Sequence, residues 1–464
     1  MSTSREGTEA LMPLGRVSCV SHASDHRPPG RPAGPRLRAA GVRPAATCLL
    51  LAVAGFAALA SLAELIEVPG LSYSLMLGPW GVDWLALLAV LVLVALAARR
   101  RRPGRARSLA VLLLTLALVI TAGVGWRQVD FARSQGVRLD LWALTGIGQS
   151  GSQPDVQPVV LDDTDTGQLL QAGVWLPRDG RGGALGAGST GAPASSGRSA
   201  RSDSPVGVVV LLHGGGWSNG NRLNPMTRGQ AAWFASQGYL AIALDYPLST
   251  PDLATWQLAE SRVACGLAWV ASHAEGYGGD ARHLALVGDS AGGNLALEIT
   301  YRQALGQLDP VDEECGSEVP QIDAVSTTYP IADPVGFHDN PDLVMAPFVS
   351  ERARRYTSGT PGQVPERYEA IDPRRKLALL AQRGMGPSLP PTLIVHGARD
   401  HVVPVDGTRS LDAALEEAGA PHTTLIAPLT DHVFDLNPGS ALSQTWRHLT
   451  LDLLTQAAVL PAER

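Results

Sequence analysis

Lysine is all but missing from this chain of 464 residues: Lys376 stands alone among basic side chains that are otherwise arginine. That imbalance reads as codon usage, not chemistry. Charge is sparse, at 17% of residues against about 25% in ordinary soluble domains, and the deficit is concentrated in long uncharged runs before Trp126. The formal net charge is −6, which leaves no electrostatic footprint for a nucleic acid partner. Cysteine is scarce too. Cys19, Cys48, Cys265 and Cys315 show neither C-x-x-C spacing nor a histidine partner pattern, so no structural zinc site or other metal centre is expected. With one or two disulfides at most, the fold must be held by its core. The length suits two or three units, not one small domain.

Residues 1–45 are rich in Arg, Pro and Gly and too poor in apolar side chains to bury a core. They are expected to form a disordered tail, with Met1 and Met12 both open as the start. Three apolar runs follow within 46–126, at about 47–66, 80–98 and 109–126. A helix rises about 1.5 Å per residue and the hydrocarbon core of a bilayer is about 30 Å thick, so each run can span it or nearly so. Soluble helices rarely run this long without a polar face. The tail carries Arg27, Arg31, Arg36, Arg38 and Arg43, and the link between the second and third runs holds Arg99, Arg100, Arg101, Arg102, Arg105 and Arg107, whereas the link 67–79 has no Lys or Arg. The excess of positive charge on cytoplasmic loops then puts the tail and the Arg-rich link inside and everything after Trp126 outside. The expected location is a multi-pass position in the cell membrane, with the bilayer as a partner. Trp80, Trp84 and Trp126 fall near the outer interface, as an aromatic belt would.

Residues 127–155 read as a linker whose amphipathic piece, Val137 to Trp142, can lie on the membrane or pack on the domain after it. From 156 to 464 short apolar strands alternate with helical runs. A mostly parallel sheet covered by helices on both faces, an α/β class, is the expected architecture. Within it, 180–205 is a Gly/Ser/Ala low-complexity segment expected to be a flexible loop, and 333–386 reads as a Pro-rich irregular insert, with Met345, Pro347 and Phe348 as candidates for part of a pocket or cap.

The chemistry centres on Gly288-Asp289-Ser290-Ala291-Gly292-Gly293, between an apolar strand and a helical run. A serine at the apex of a tight strand-to-helix turn needs a strained backbone and small neighbours. Alone, this motif could be an ordinary turn. A second stretch, His213-Gly214-Gly215-Gly216-Trp217, follows the strand 208–212. Its glycines can bare backbone N–H groups of the kind acyl transfer aims at a developing oxyanion. A third pair is Asp400, just past the strand 392–396, and His432, past 423–426. Their order, Ser290, Asp400, His432, with each at a strand end, lets all three meet at one edge of a parallel sheet. Asp431 and Asp435 are rival acids and His401 a rival base, but Asp431 adjoins His432 and His401 adjoins Asp400, where each is badly placed to bond its neighbour.

With His396-Gly397-Ala398-Arg399-Asp400, Val403-Pro404 and Asp431-His432, these motifs resemble the α/β-hydrolase esterases of the hormone-sensitive-lipase and feruloyl-esterase-like type, over about 155–460. The resemblance implies the α/β-hydrolase fold. It also implies that the N–H groups of Gly215, Gly216 and Ala291 form the oxyanion hole, and that His213 and Asp289 are structural, with Gly214, Trp217, Gly288 and Gly292 shaping the two motifs. It implies a serine carboxylic-ester hydrolase working through an acyl-enzyme on a small-molecule or lipid ester, without cofactor. Neither the apolar module nor the low-complexity segment inherits a role from it. An amidase, peptidase or formamidase on the same residues is the alternative within enzymes, and a non-catalytic adhesion or scaffold module the alternative outside them.

Cys265 and Cys315 are the cysteines of the outward part and are expected to pair, the alternative being two free thiols. Trp256, Val263, Leu267 and Val270 repeat at helical spacing, and Cys265, two residues from Val263, should point away from that face.

Overall fold

The computed structural model of the chain describes residues 42–66, 78–147, 151–178, 205–311, 314–316 and 318–462. The expected tail up to residue 41, most of the link 67–79 and most of the low-complexity segment 180–205 lie outside them. Three long helices come first: α1 (Val42–Leu65), α2 (Gly81–Arg101) and α3 (Arg105–Ser134). All three are long and apolar enough to cross a membrane. Small side chains let their backbones approach: Ala54 and Ala57 meet Leu88, Ala95, Ala110, Leu114 and Ala117 in one buried cluster. Ser61 of α1 takes hydrogen bonds from Thr121 Oγ1 (2.9 Å) and Trp84 Nε1 (3.3 Å). The outer surface stays apolar, with Leu93 66% and Val119 63% exposed.

The third helix does not stop at Trp126. It runs on to Ser134, so the expected linker begins as helix. Arg127 to Ser134 contains neither Gly nor Pro, and Phe131 gains apolar contacts on the following domain. The helix ends where Gly136 takes φ +80° and its N–H meets Arg133 O at 3.0 Å. The rest of the linker packs on the domain: Asp140 N donates to Gln444 Oε1 at 2.7 Å, and Gln444 Nε2 returns a bond to Asp140 O at 3.0 Å.

Among the described residues, eight strands form one sheet: β1 (Val159–Asp163), β2 (Gln168–Trp175), β3 (Val206–Leu212), β4 (Leu240–Leu244), β5 (Gly279–Asp289), β6 (Ala324–Thr328), β7 (Thr392–Gly397) and β8 (His422–Ala427). Their order is β1-β2-β4-β3-β5-β6-β7-β8. The first two strands pair antiparallel, and β2 meets β4 antiparallel. All pairs from β4 through β8 are parallel, so those strands end at one common edge. The central strands are apolar throughout because both faces are covered. Val208, Val210 and Leu212 enter one core while Val209 and Leu211 enter the other.

The covering helices are α4 (Pro225–Ser236), α5 (Leu258–His273), α6 (Ala291–Leu305), α11 (Val405–Ala418) and α12 (Ala441–Gln456). Between β6 and β7 come α7 (Pro334–His338), α8 (Ala346–Thr357), α9 (Pro365–Ala370) and α10 (Pro373–Gln382). The insert expected to be irregular is therefore helical. Its prolines mislead as breakers because Pro334, Pro347, Pro365 and Pro373 sit in first turns, where the missing N–H costs nothing. Lys376 is also more than codon usage: it is buried on α10 and pairs with buried Glu298 of α6.

Cys265 and Cys315 form a disulfide with Cα atoms 5.0 Å apart. Cys265 points away from the cluster that takes Val263, Leu267 and Val270, yet it is not exposed: it joins Leu161, Leu170 and Ala268 in a small second cluster under β1 and β2. Trp256 precedes the helix, which starts at Leu258. The bridge closes a separation of 50 residues, worth about 4 kcal/mol in the chain-entropy account. Replacing both cysteines with serine should lower thermal stability by about that amount, read by unfolding of the oxidised parent beside the variant. An unshifted transition would show that the bridge constrains nothing.

Candidate active site

At the common edge, β5 turns sharply into α6 with Ser290 at the apex. Ser290 has φ +52° and ψ −114°, a conformation that costs about 1–3 kcal/mol and persists only when its surroundings over-determine it. They do so here by backbone pairing. Ser290 N donates to Thr328 O at 3.0 Å, and Ser290 O accepts from Asn294 N at 3.0 Å and Ile331 N at 3.2 Å. The small neighbours are obligatory: a Cβ on Gly292 would sit 2.1 Å from Leu212 O, and one on Gly288 would sit 2.4 Å from Gly292 O. Buried Asn294, which no sequence motif singles out, ties the start of α6 to the insert through Nδ2 bonds to Ile331 O (2.9 Å) and Ile371 O (3.0 Å).

The glycine loop after β3 runs beside this elbow. Gly214 lies against the Asp289 carboxyl and the Ser290 Cβ. Gly215, Gly216 and Trp217 all have positive φ, at +133°, +59° and +55°, a run that side chains resist and glycine permits. Trp217 anchors the loop by stacking on Tyr356 with ring centroids 4.3 Å apart and meeting Phe337 edge-on at 5.7 Å. His213 is buried, stacks on Tyr246 at 4.3 Å, and has its carbonyl held by Tyr246 Oη at 2.8 Å. Burial pushes its pKa down, in keeping with a neutral ring. Ala291, the first residue of α6, is fully buried.

Past β7, the Asp400 side chain is withdrawn from solvent and its carboxylate accepts from four donors. Oδ1 accepts from Val402 N (2.9 Å) and Val403 N (2.7 Å). Oδ2 meets His432 Nδ1 at 2.6 Å and His396 Nε2 at 3.0 Å. Burial alone would raise this carboxyl, but the two imidazoles overcome it and hold it well below the usual carboxylate range. In sequence His396 is a strand end that opens the motif leading to Asp400, with no role of its own assigned. In the fold it is completely buried, with Nδ1 2.7 Å from Thr408 Oγ1, and its Nε2 meets the same Asp400 oxygen as His432. An imidazole inside an apolar strand, four residues before an acid, is the signal that could have found it.

The rival residues are drawn elsewhere. Asp431 accepts from His401 N (2.9 Å) and His432 N (2.7 Å) and pairs with His401 Nδ1 at 2.6 Å. Asp435 is buried between Gln230 and Tyr329. The ring of Tyr329 lies 4.2 Å from that of His432. Between Ser290 Oγ and the His432 ring no hydrogen bond closes among the described residues, a contact that often tightens only once substrate is bound. Met345 borders the core beneath the insert, whereas Phe348 is 58% exposed.

A mostly parallel sheet, a serine elbow after its central strand β5 and an Asp–His pair just past β7 and β8 make this chain an α/β-hydrolase by fold. The BD-FAE family model matches residues 198–415, a span of slightly less than half the chain. Among curated proteins, the chain is similar to Esterase LipC of Mycobacterium tuberculosis, 28% identical over 257 residues, covering 54% of this chain and 58% of that protein. It is also similar to the probable carboxylic ester hydrolase LipM of the same organism, 26% identical and covering 49% of each. The chain thus spans about half the length of the curated relatives it matches. A solved structure, the butyrate-bound thermophilic esterase Est2 of Thermogutta terrifontis, is 21% identical with a TM-score of 0.48, covering 68% of this chain and 98% of that one.

The site makes a prediction about pH. Burial disfavours the His432 imidazolium, but Asp400 and then Asp431 outweigh it, so the pKa lies above the ordinary value of 6.5. In the general-base role expected for His432, the ring can accept a proton only when neutral. The acid limb of kcat/KM, which reports the free enzyme, should therefore have its midpoint above 6.5, with activity rising as pH rises through it. A midpoint below 6.5 would mean that Asp400 does not govern this ring.

Proposed function

We propose that the chain is a membrane-anchored serine carboxylic-ester hydrolase. The observation that carries the reading is the buried Asp400–His432 pair, 2.6 Å apart, at the same sheet edge as the strained Ser290. In this reading His432 takes the Ser290 proton as Ser290 attacks the ester carbonyl. Asp400 holds the ring in the tautomer with hydrogen on Nδ1 and stabilises the imidazolium. The N–H groups of Gly215, Gly216 and Ala291 receive the oxyanion, and water then releases the acyl group. The esterase activity of the relatives supports the ester over the amide reading. The helical insert, stacked on Trp217, acts as a cap over the glycine loop.

The outward-facing apolar side chains of α1–α3 support insertion in a bilayer, and the Arg-rich link supports a cytoplasmic tail with the hydrolase outside. The anchor also touches the catalytic edge. Gln128 Nε2, on the extension of α3, donates to Leu429 O at 3.0 Å. Val124, Gln128, Asp431 and His432 border one small cavity.

Three measurements test this. Ser290→Ala should abolish labelling by a fluorophosphonate probe and lower ester turnover by about a thousandfold or more, while the protein stays folded; wild-type turnover in that variant would defeat the reading. Protease added outside the cytoplasmic membrane of intact cells should cut the hydrolase and spare the tail, and protection of the hydrolase would defeat the topology. Gln128→Ala should lower kcat about fivefold, the equivalent of roughly 1 kcal/mol for one lost hydrogen bond, with melting unchanged; an unaltered kcat would show that the anchor does not steady the His432 loop.

A further inference from the structure

Helix α8 carries a charge on its inner face. Val349, Ala353 and Tyr356 are buried, and Arg352, three residues after Val349 and four before Tyr356, shares their side of the helix. The other ionic residues of the helix satisfy one another on the outer side, where Glu351 takes Arg354 Nη2 and Arg355 Nε, both at 2.9 Å. Arg352 has no carboxylate partner among the described residues. Its stem lies directly on the glycine loop, so that a Cβ on Gly216 would meet Arg352 Cδ at 2.5 Å. Its Nη2 reaches the Asn219 side chain at 3.2 Å, with the amide turned so that its oxygen accepts. Burial, with Arg355 adding like charge, works against the guanidinium.

A half-buried cation without a counter-charge is an unfavourable way to cover a loop; leucine or methionine would pack on Gly216 without the desolvation cost. The position is useful if a negative charge arrives with the substrate. A guanidinium presents a planar fork of donors that matches carboxylate and phosphate oxygens, and this one sits on the loop that faces the elbow. We propose that Arg352 binds an anionic group, a carboxylate or a phosphate, carried by the ester substrate near its scissile carbonyl. The proposal rests on the esterase reading above and narrows it: anionic esters are preferred to neutral ones of the same size.

The test uses the full chain in detergent and three esters of equal acyl length: one neutral, one a monoester of a dicarboxylic acid, and one whose alcohol carries a phosphate. The readout is kcat/KM for each anionic ester divided by that for the neutral ester. Arg352→Gln should lower this ratio by about tenfold or more for at least one anionic ester, the loss of a charge-assisted hydrogen bond. The ester whose ratio falls identifies the carboxylate or the phosphate as the group bound. Arg352→Lys, which keeps a stem on Gly216 and the charge, should recover part of the ratio, and rising salt should erode it in the parent protein. A ratio unchanged for both anionic esters overturns the proposal even if all rates fall together, because Arg352 would then only prop the glycine loop. Turnover of none of the three esters by the parent protein overturns the esterase reading and this proposal with it.

Discussion

The site depends on a backbone-to-backbone approach. Strand β5 and helix α6 fold back on each other so closely that Gly288 and Gly292 have no room for a methyl group, and Gly292 rests on the carbonyl that ends β3. That approach goes with the strained positive-φ conformation of Ser290. It also brings the glycine loop, which continues from β3, alongside the serine. Relaxing this contact would cost more than one hydrogen bond, because three partners of the Ser290 backbone and the neighbouring loop all take their positions from it.

The second constraint is charge held without water. The Asp400 carboxylate is withdrawn from solvent yet carries four donors, two of them backbone N–H groups that cannot swing away. With its geometry set from that side and by His396, the carboxylate gives His432 one place to be. Asp431 holds His401, the chain neighbour of Asp400, in a separate acid–imidazole pair. The His432 loop is also held at Leu429, whose carbonyl accepts from Gln128 of the long helix.

Much of this is legible in the sequence. The elbow, the glycine loop and the two strand-end residues announce themselves because each needs an unusual local composition. The three apolar helices are legible for the same reason. What cannot be read is whatever depends on tertiary neighbours. The local signal at His396, an imidazole in an apolar strand four residues before an acid, does not say which group it bonds, and nothing local marks Asn294 as a tie to the insert. The prolines of 333–386 look like breaks and prove to be helix starts, since proline gives one signal for both. Arg352 is, in sequence, one arginine among several, and only the packing of α8 on Gly216 separates it from the outward-facing Arg354 and Arg355. Composition alone assigns Lys376 to codon usage, though burial opposite Glu298 gives it a structural partner.

The unbroken course of α3 has a mechanical consequence. Many enzymes on membranes hang from flexible tethers and sweep a volume set by linker length. Here the residues after Trp126 continue as helix to Ser134, and eight residues of helix rise only about 12 Å. In the membrane-anchored esterase reading proposed above, such a strut would hold the sheet edge that carries Ser290 at a set height above the lipid surface. Encounter with substrate would then become a search in two dimensions over a thin layer. Esters presented at that height would meet the site in a favoured orientation, and those deeper in the bilayer or far into solvent would have to come to it.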